Sequence, residues 1–206
     1  MKVLLVRHGE TDWNVAKKIQ GSTDIPLNET GIKQAEKLAE TLAKRKTPIQ
    51  GIYTSRLKRA ADTARIAAEK LGVVCKVLEG IEEINFGLWE GISWDEVAEK
   101  FPVEFQTWRQ NRRYEHPPKG ESYQELLVRV VTALQTLLRE LCAEDNEEGK
   151  AHIEGDIVVV THSADIMTLM SAIYDTPFHE MVKRYKTENT AVIEIASEVL
   201  MNLETA

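Results

Sequence analysis

Two histidines stand at the ends of two apolar runs. Val3-Leu4-Leu5-Val6 stops at Arg7-His8-Gly9, and Ile157-Val158-Val159-Val160 stops at Thr161-His162-Ser163. Beside the first, Arg7 supplies a permanent cation and Gly9 permits close backbone approach; Thr11 and Asn14 add short polar groups. Two imidazoles and an arginine in one crevice suit chemistry on a phosphate, with one imidazole available as nucleophile. No Gly-rich loop ending in Lys-Ser or Lys-Thr accompanies them, so a nucleoside triphosphate cradle has no support.

Chemistry of this kind needs strands that end at a common edge. In open α/β sheets, ligands bind in the crevice outside the carboxyl ends of the strands. Residues 2–7 read as a strand buried on both faces, and 8–27 as loop. Asn28 is a good N-cap for a helix to about 46, ended before Pro48. A short strand at 51–54, an Ala-rich helix at 57–71 closed by Gly72, and a strand at 73–78 follow. The order β-α-β-α-β predicts a mainly parallel sheet.

Residues 84–121 break that rhythm. They hold Trp89, Trp94 and Trp108, the arginines Arg109, Arg112 and Arg113, and the pair Pro117-Pro118. They read as a lid-like helical insertion with irregular ends. Ser122-Tyr123-Gln124-Glu125 is a capping box opening a long helix to about 141. An acidic surface turn at 143–155, a strand at 156–161 and a helix at 164–174 come next. Residues 191–195 and 199–203 read as short edge strands. The expectation is α/β: one domain over 1–206, three-layer α/β/α around a mainly parallel sheet.

The chain has 206 residues, 43% of them hydrophobic and 29% charged, with a net charge of −7. This is a soluble composition, and an acidic chain is poorly suited to sequence-independent nucleic-acid binding. No apolar run approaches the roughly 20 residues of a membrane-spanning helix, and no signal peptide is expected from the strand-like first residues. Cys75 and Cys142 have no metal-type spacing and read as buried or half-buried thiols in a reducing compartment. A cytoplasmic location is expected.

The segment RHGETDWN, residues 7–14, resembles the signature of the histidine phosphatase superfamily, the phosphoglycerate mutase-like fold. The likeness runs along nearly the whole chain. Gly21-Ser22-Thr23-Asp24-Ile25-Pro26-Leu27 with Gly31 resembles the family's loop before its first long helix. Thr54-Ser55-Arg56-Leu57-Lys58-Arg59-Ala60 resembles its second arginine motif, Glu83 to Gly91 its acid motif, and Val160-Thr161-His162 its second histidine motif. The resemblance implies that His8 becomes phosphohistidine, that Arg7, Arg59 and His162 bind the phosphoryl group, and that Glu83 protonates the leaving alcohol. It implies phosphate or substrate contacts for Asn14, for the Gly21, Ser22 and Thr23 loop, and for the backbone amide of Ser163. No metal and no cofactor are implied. Two arginines and a cationic histidine would neutralise the phosphoryl oxygens, and a carboxylic acid would aid a poor alkoxide leaving group.

Within the family the acid motif separates subgroups. Ile84-Asn85-Phe86-Gly87-Leu88-Trp89-Glu90-Gly91 looks like the α-ribazole phosphatase and broad-specificity phosphatase group. Cofactor-dependent mutases resemble one another in an Arg-His-Tyr-Gly stretch and a tail after the last strands, neither of which is read here. The resemblance therefore implies a hydrolase acting on a small phosphorylated metabolite, as monomer or homodimer. A phosphoglycerate mutase and a non-catalytic phosphate-binding module are the alternatives. Ser163 departs from the family, which commonly has glycine there. Arg56 reads as a surface residue and Glu82 as the lesser candidate for the acid. His116, His152 and His179 lie outside any motif and read as surface or structural.

Overall fold

The computed structural model describes residues 1–145 and 155–205. Five strands form one sheet: β1 (Lys2–Arg7), β2 (Ile49–Thr54), β3 (Val74–Val77), β4 (Asp156–Thr161) and β5 (Val192–Ala196), in the order β3-β2-β4-β1-β5. β1, β2, β3 and β4 pair in parallel, and β5 runs antiparallel to β1 at the edge. This is the expected mainly parallel α/β sheet.

The strands alternate sides with a period of two. Leu4 and Val6 of β1 face Ala60, Ala64 and Ala67 of α3 (Lys58–Leu71) and Leu38 and Leu42 of α2 (Glu29–Ala43). Val3 and Leu5 belong to the opposite core, with Leu127 and Leu134 of α6 (Tyr123–Asp145) and Leu169 of α7 (Ser163–Ile173). Both faces are covered, which is why β1 and β4 are continuous apolar runs. The caps read from sequence are in place. Asn28 Oδ1 accepts from the Gly31 amide at 2.8 Å, Gly72 closes α3 at φ 68°, and Ser122 and Glu125 cap each other.

The insertion consists of a 3₁₀ turn (Gly87–Trp89), α4 (Trp94–Lys100) and α5 (Pro102–Gln110). Its tryptophans weld it to the core. Trp89 is fully buried, and Trp89 and Trp108 meet edge to face at a centroid distance of 5.3 Å.

Four details differ from the sequence reading. The loop at 8–27 contains a single helical turn, α1 (Asp12–Val15), with Thr11 and Asn14 as a reciprocal cap. Residues 199–203 are not a strand: α9 (Ser197–Met201) occupies that stretch, after α8 (Met181–Arg184). Gln135 on α6 donates to the carbonyls of Leu200, Met201 and Leu203 at 3.1, 3.3 and 3.0 Å, satisfying the end of α9 from a distant element. Cys75 and Cys142 are exposed, not buried, because β3 is an edge strand and α6 turns that position outward. α6 also continues to Asp145, past the start of the expected acidic turn. The rest of that turn, with His152, lies outside the described residues. Among the described residues no helix is long and apolar enough to cross a membrane.

Candidate active site

The register of β1 and β4 sets the site. Arg7 lies opposite Thr161, so both chains leave the sheet at one edge, and the His8 amide adds a bond to the Thr161 carbonyl at 3.0 Å. The two imidazole centroids are 5.3 Å apart. β2 ends on the same edge and places Ser55 Oγ 2.7 Å from His162 Nε2. The turn after β1 is tight. A Cβ on Gly9 would lie 2.6 Å from the Gly31 carbonyl oxygen, so side chains are excluded where the loop crosses the start of α2.

His8 Nδ1 lies 2.7 Å from the Gly9 carbonyl oxygen. A carbonyl only accepts, so Nδ1 carries the proton and Nε2 keeps a lone pair. Burial, with help from Arg59 and Arg7, holds the His8 pKa well below the ordinary histidine range. The imidazole is therefore neutral, as a nucleophile must be.

Three buried polar atoms near it have no hydrogen-bond partner among the described residues: Arg7 Nε, Arg59 Nε and His162 Nδ1. Nη1 of Arg7 and both terminal nitrogens of Arg59 are tied down. Arg7 Nη1 donates to the Thr187 carbonyl at 2.6 Å. Arg59 donates from Nη1 to Thr23 O at 2.8 Å and from Nη2 to Gly21 O at 2.7 Å. His162 differs from expectation in charge. Burial, and then the field of Arg59, pushes its pKa well below the usual range, so it is neutral.

Glu83 sits on the loop after β3. Its Oε1 accepts from the amides of Ile84 at 3.1 Å and Ala164 at 3.2 Å. Its other oxygen is left for the cavity it lines. Arg59 and Arg7 favour ionisation, yet the Glu83 pKa is raised because burial outweighs them. Glu82 points elsewhere: it accepts from the Gly80 amide and pairs at 3.5 Å with the exposed Arg56.

A cavity of about 970 Å³ opens over these groups. Arg7, His8, Asn14, Gly21, Glu83 and Ser163 line its floor, and Phe86, Trp94, Phe105, Trp108 and Tyr123 form a wall. Among the described residues that line it, Glu83 is the one carboxylate beside Lys18, Arg109, Arg112, Lys183 and Lys186. An acidic protein thus keeps a cationic cavity. Arg59 and His162 have no accessible surface and stand behind this floor.

The other sequence candidates divide. Asn14 Oδ1 accepts from the Thr11 amide at 3.1 Å, which turns its NH₂ group free as a donor. Ser22 and Thr23 give their hydroxyls and amides to Glu90, so that loop is braced by Glu90, with its carbonyls on Arg59. The Ser163 hydroxyl is 2.6 Å from Thr187 Oγ1, and the Ser163 amide lies in the first turn of α7, an anion-friendly place. His116 pairs with Glu125 at 2.8 Å at the surface, and His179 is an exposed residue on the cavity rim. Sequence reasoning missed Thr187 and Asn189. Asn189 Nδ2 donates to the His8 carbonyl at 2.9 Å, so the segment before β5 fixes both Arg7 and His8.

The fold and this arrangement of histidines, arginines and acid define a class. A family model described as histidine phosphatase superfamily (branch 1) matches residues 3–198, and the chain belongs to that superfamily. It is 37% identical over 176 residues to the metal-independent phosphoserine phosphatase of Arabidopsis thaliana, covering 84% of this chain and 67% of that protein. It is 33% identical over 177 residues to the glucosyl-3-phosphoglycerate phosphatase of Mycobacterium tuberculosis, covering 85% and 76%. Among solved structures, YhfR of Bacillus stearothermophilus superposes with a TM-score of 0.79 at 32% identity, covering 95% of this chain and 90% of that one.

Proposed function

We propose that this protein is a metal-independent phosphatase that hydrolyses small phosphomonoesters through a phosphohistidine on His8. The observation that carries this reading is the 2.7 Å contact of His8 Nδ1 with the Gly9 carbonyl oxygen, which puts the proton on Nδ1 and the lone pair on Nε2. In the first step Nε2 forms a bond to phosphorus and the ester P–O bond breaks. Glu83 gives its proton to the departing alkoxide. In the second step the Glu83 carboxylate takes a proton from water, the water oxygen bonds phosphorus, and the P–N bond breaks to free His8 and inorganic phosphate. Arg7 Nε, Arg59 Nε and His162 Nδ1, which lack hydrogen-bond partners among the described residues, would donate to the phosphoryl oxygens. An incoming dianion favours protonation of the neutral His162.

The names of the relatives support a substrate with a second anionic group, phosphoserine and glucosyl-3-phosphoglycerate among them. The cavity suits such a molecule. The Arg112 guanidinium lies 4.4 Å from the Trp108 ring centroid, partly desolvated, with no carboxylate partner among the described residues. These features support a role for Arg112 in taking a substrate carboxylate. A metal-free hydrolysis screen over phosphomonoesters with and without a carboxylate tests the reading. Phosphate release favouring the carboxylate-bearing members is expected; no release from any member would contradict it.

A further inference from the structure

Behind the first turn of α7 lies a carboxyl that the proposed reaction does not use. Asp165 has no solvent-accessible surface. Its Oδ2 is hydrogen-bonded to Thr161 Oγ1, and its Oδ1 has no partner. The same Thr161 hydroxyl is 3.0 Å from the Ile81 carbonyl oxygen. A hydroxyl has one proton, whereas a carbonyl and a carboxylate only accept. With Asp165 ionised, two acceptors would compete for that proton, and an anionic oxygen would stand unpartnered in a dry interior. With the proton on Asp165 Oδ2, Asp165 donates to Thr161, Thr161 donates to Ile81, and every hydrogen has an acceptor.

The chain of bonds leads to the general acid. Residues 78–86 have no regular secondary structure, so their carbonyls need outside donors. Arg129 donates from Nη1 to Gly80 O at 2.9 Å and from Nη2 to Glu83 O at 3.3 Å. Thr161 holds Ile81, two residues before Glu83. From the other side, the amide of Ala164, the residue before Asp165, holds Glu83 Oε1.

We propose that Asp165 is a positioning residue for Glu83: a buried neutral acid that fixes the Thr161 hydroxyl on the Ile81 carbonyl and leaves Glu83 as the carboxyl of the pair that ionises. The charges around Asp165 agree. Burial and the neighbouring Glu83, with Glu121 ahead of α6, push its pKa well above the usual range, against Arg129 on α6 and the Thr161 hydrogen bond. Arg59 on α3 also faces it. His162, just ahead on the chain, is neutral and adds no charge. The functional half of this inference rests on the general-acid role of Glu83; the protonation half does not.

The test has two arms on the intact protein. Infrared difference spectra of the resting enzyme at neutral pH need no catalysis. A protonated-carboxyl band is expected in wild type and in Glu83→Gln, and its loss in Asp165→Asn. No such band in wild type, or a band kept in Asp165→Asn and lost in Glu83→Gln, overturns the proposal. The kinetic arm compares an alkyl phosphate with p-nitrophenyl phosphate. Asp165→Asn is uncharged like the proposed acid and keeps a donor to Thr161, so the alkaline limb for the alkyl ester stays within about 0.3 pH unit. A fall of that limb by about one unit or more means that Asp165 was the charged partner and overturns the proposal. Asp165→Ala lowers kcat on the alkyl ester about 10-fold and on the aryl ester less than about 2-fold, with Asn rescuing the loss. Equal losses on both esters, or no rescue by Asn, leave Asp165 merely structural and overturn the positioning role. If Glu83→Gln itself treats both esters alike, the general-acid assignment fails while the infrared result stands.

Discussion

The amide of Ala164 donates to Glu83 Oε1 at 3.2 Å, which hangs the acid on the helix that begins beside His162. His8 reaches the same place through β1, whose partner β4 ends at Thr161, one residue before His162. His8, His162 and Glu83, the proposed nucleophile, phosphoryl-group ligand and acid, therefore all refer to β4. Their relative positions are fixed by sheet register and helix start. The proposed catalysis by positioning depends on that arrangement.

Replacing Glu83 by Gln keeps the contacts of Oε1 but removes the proton. We expect kcat on alkyl phosphates to fall about 10²–10³-fold. On p-nitrophenyl phosphate, whose leaving group needs little protonation, the loss is under about 10-fold. Steady-state kinetics on both esters check this, and equal losses would remove Glu83 from the role of acid.

The pH dependence follows from burial. Glu83 has a folded pKa above its unfolded one, so its contribution to stability is full below about pH 4.3 and is lost as pH rises through the folded value. Glu83→Gln removes that loss, and its Tm gain over wild type grows with pH. His162 has a folded pKa below its unfolded one, so its contribution is present above about pH 6.5 and is lost as pH falls. His162→Asn removes the acid-side loss, so its Tm relative to wild type improves as pH falls below that value. Thermal melts between pH 4 and 9 read both slopes, and slopes of the opposite sign would refute the burial argument.

Arg112→Ala tests the second-anion reading. A hydrogen bond to a charged group contributes about 1.5–3 kcal/mol, so KM for a carboxylate-bearing phosphomonoester rises about 10- to 150-fold. A substrate without the carboxylate shifts little, and kcat changes less than KM. A uniform change across substrates would point to lid packing on Trp108 instead.

Activity is expected to survive excess EDTA. Among the described residues no group of three His, Cys, Asp or Glu side chains could hold a metal ion, while Arg7 and Arg59 supply fixed positive charge at the site. Loss of turnover on chelation, restored by a divalent cation, would contradict metal independence.

Much of the site was legible because its residues sit next to one another in sequence or at strand ends. Arg7 and His8 follow an apolar run that can only be a buried strand, and the acid motif falls in one short stretch. Thr187, Asn189 and Gln135 were not legible. Each is an ordinary polar residue whose partner lies far along the chain: Thr187 O for Arg7, Asn189 for the His8 carbonyl, Gln135 for the end of α9. One charge state was misjudged for a related reason. A phosphate-binding role for His162 predicts a cationic imidazole. Burial reverses that, and burial is a property of the packed molecule.

The central claim is that phosphate passes through His8 Nε2. Rapid quench of the enzyme with labelled substrate into alkali, which preserves a P–N bond, followed by peptide mapping, tests it directly. The predicted result is phosphate on the peptide holding His8, bonded at Nε2, with none in a folded His8→Ala protein that has lost turnover. Phosphate on another residue, or a His8→Ala protein that turns over at the wild-type rate, would contradict it.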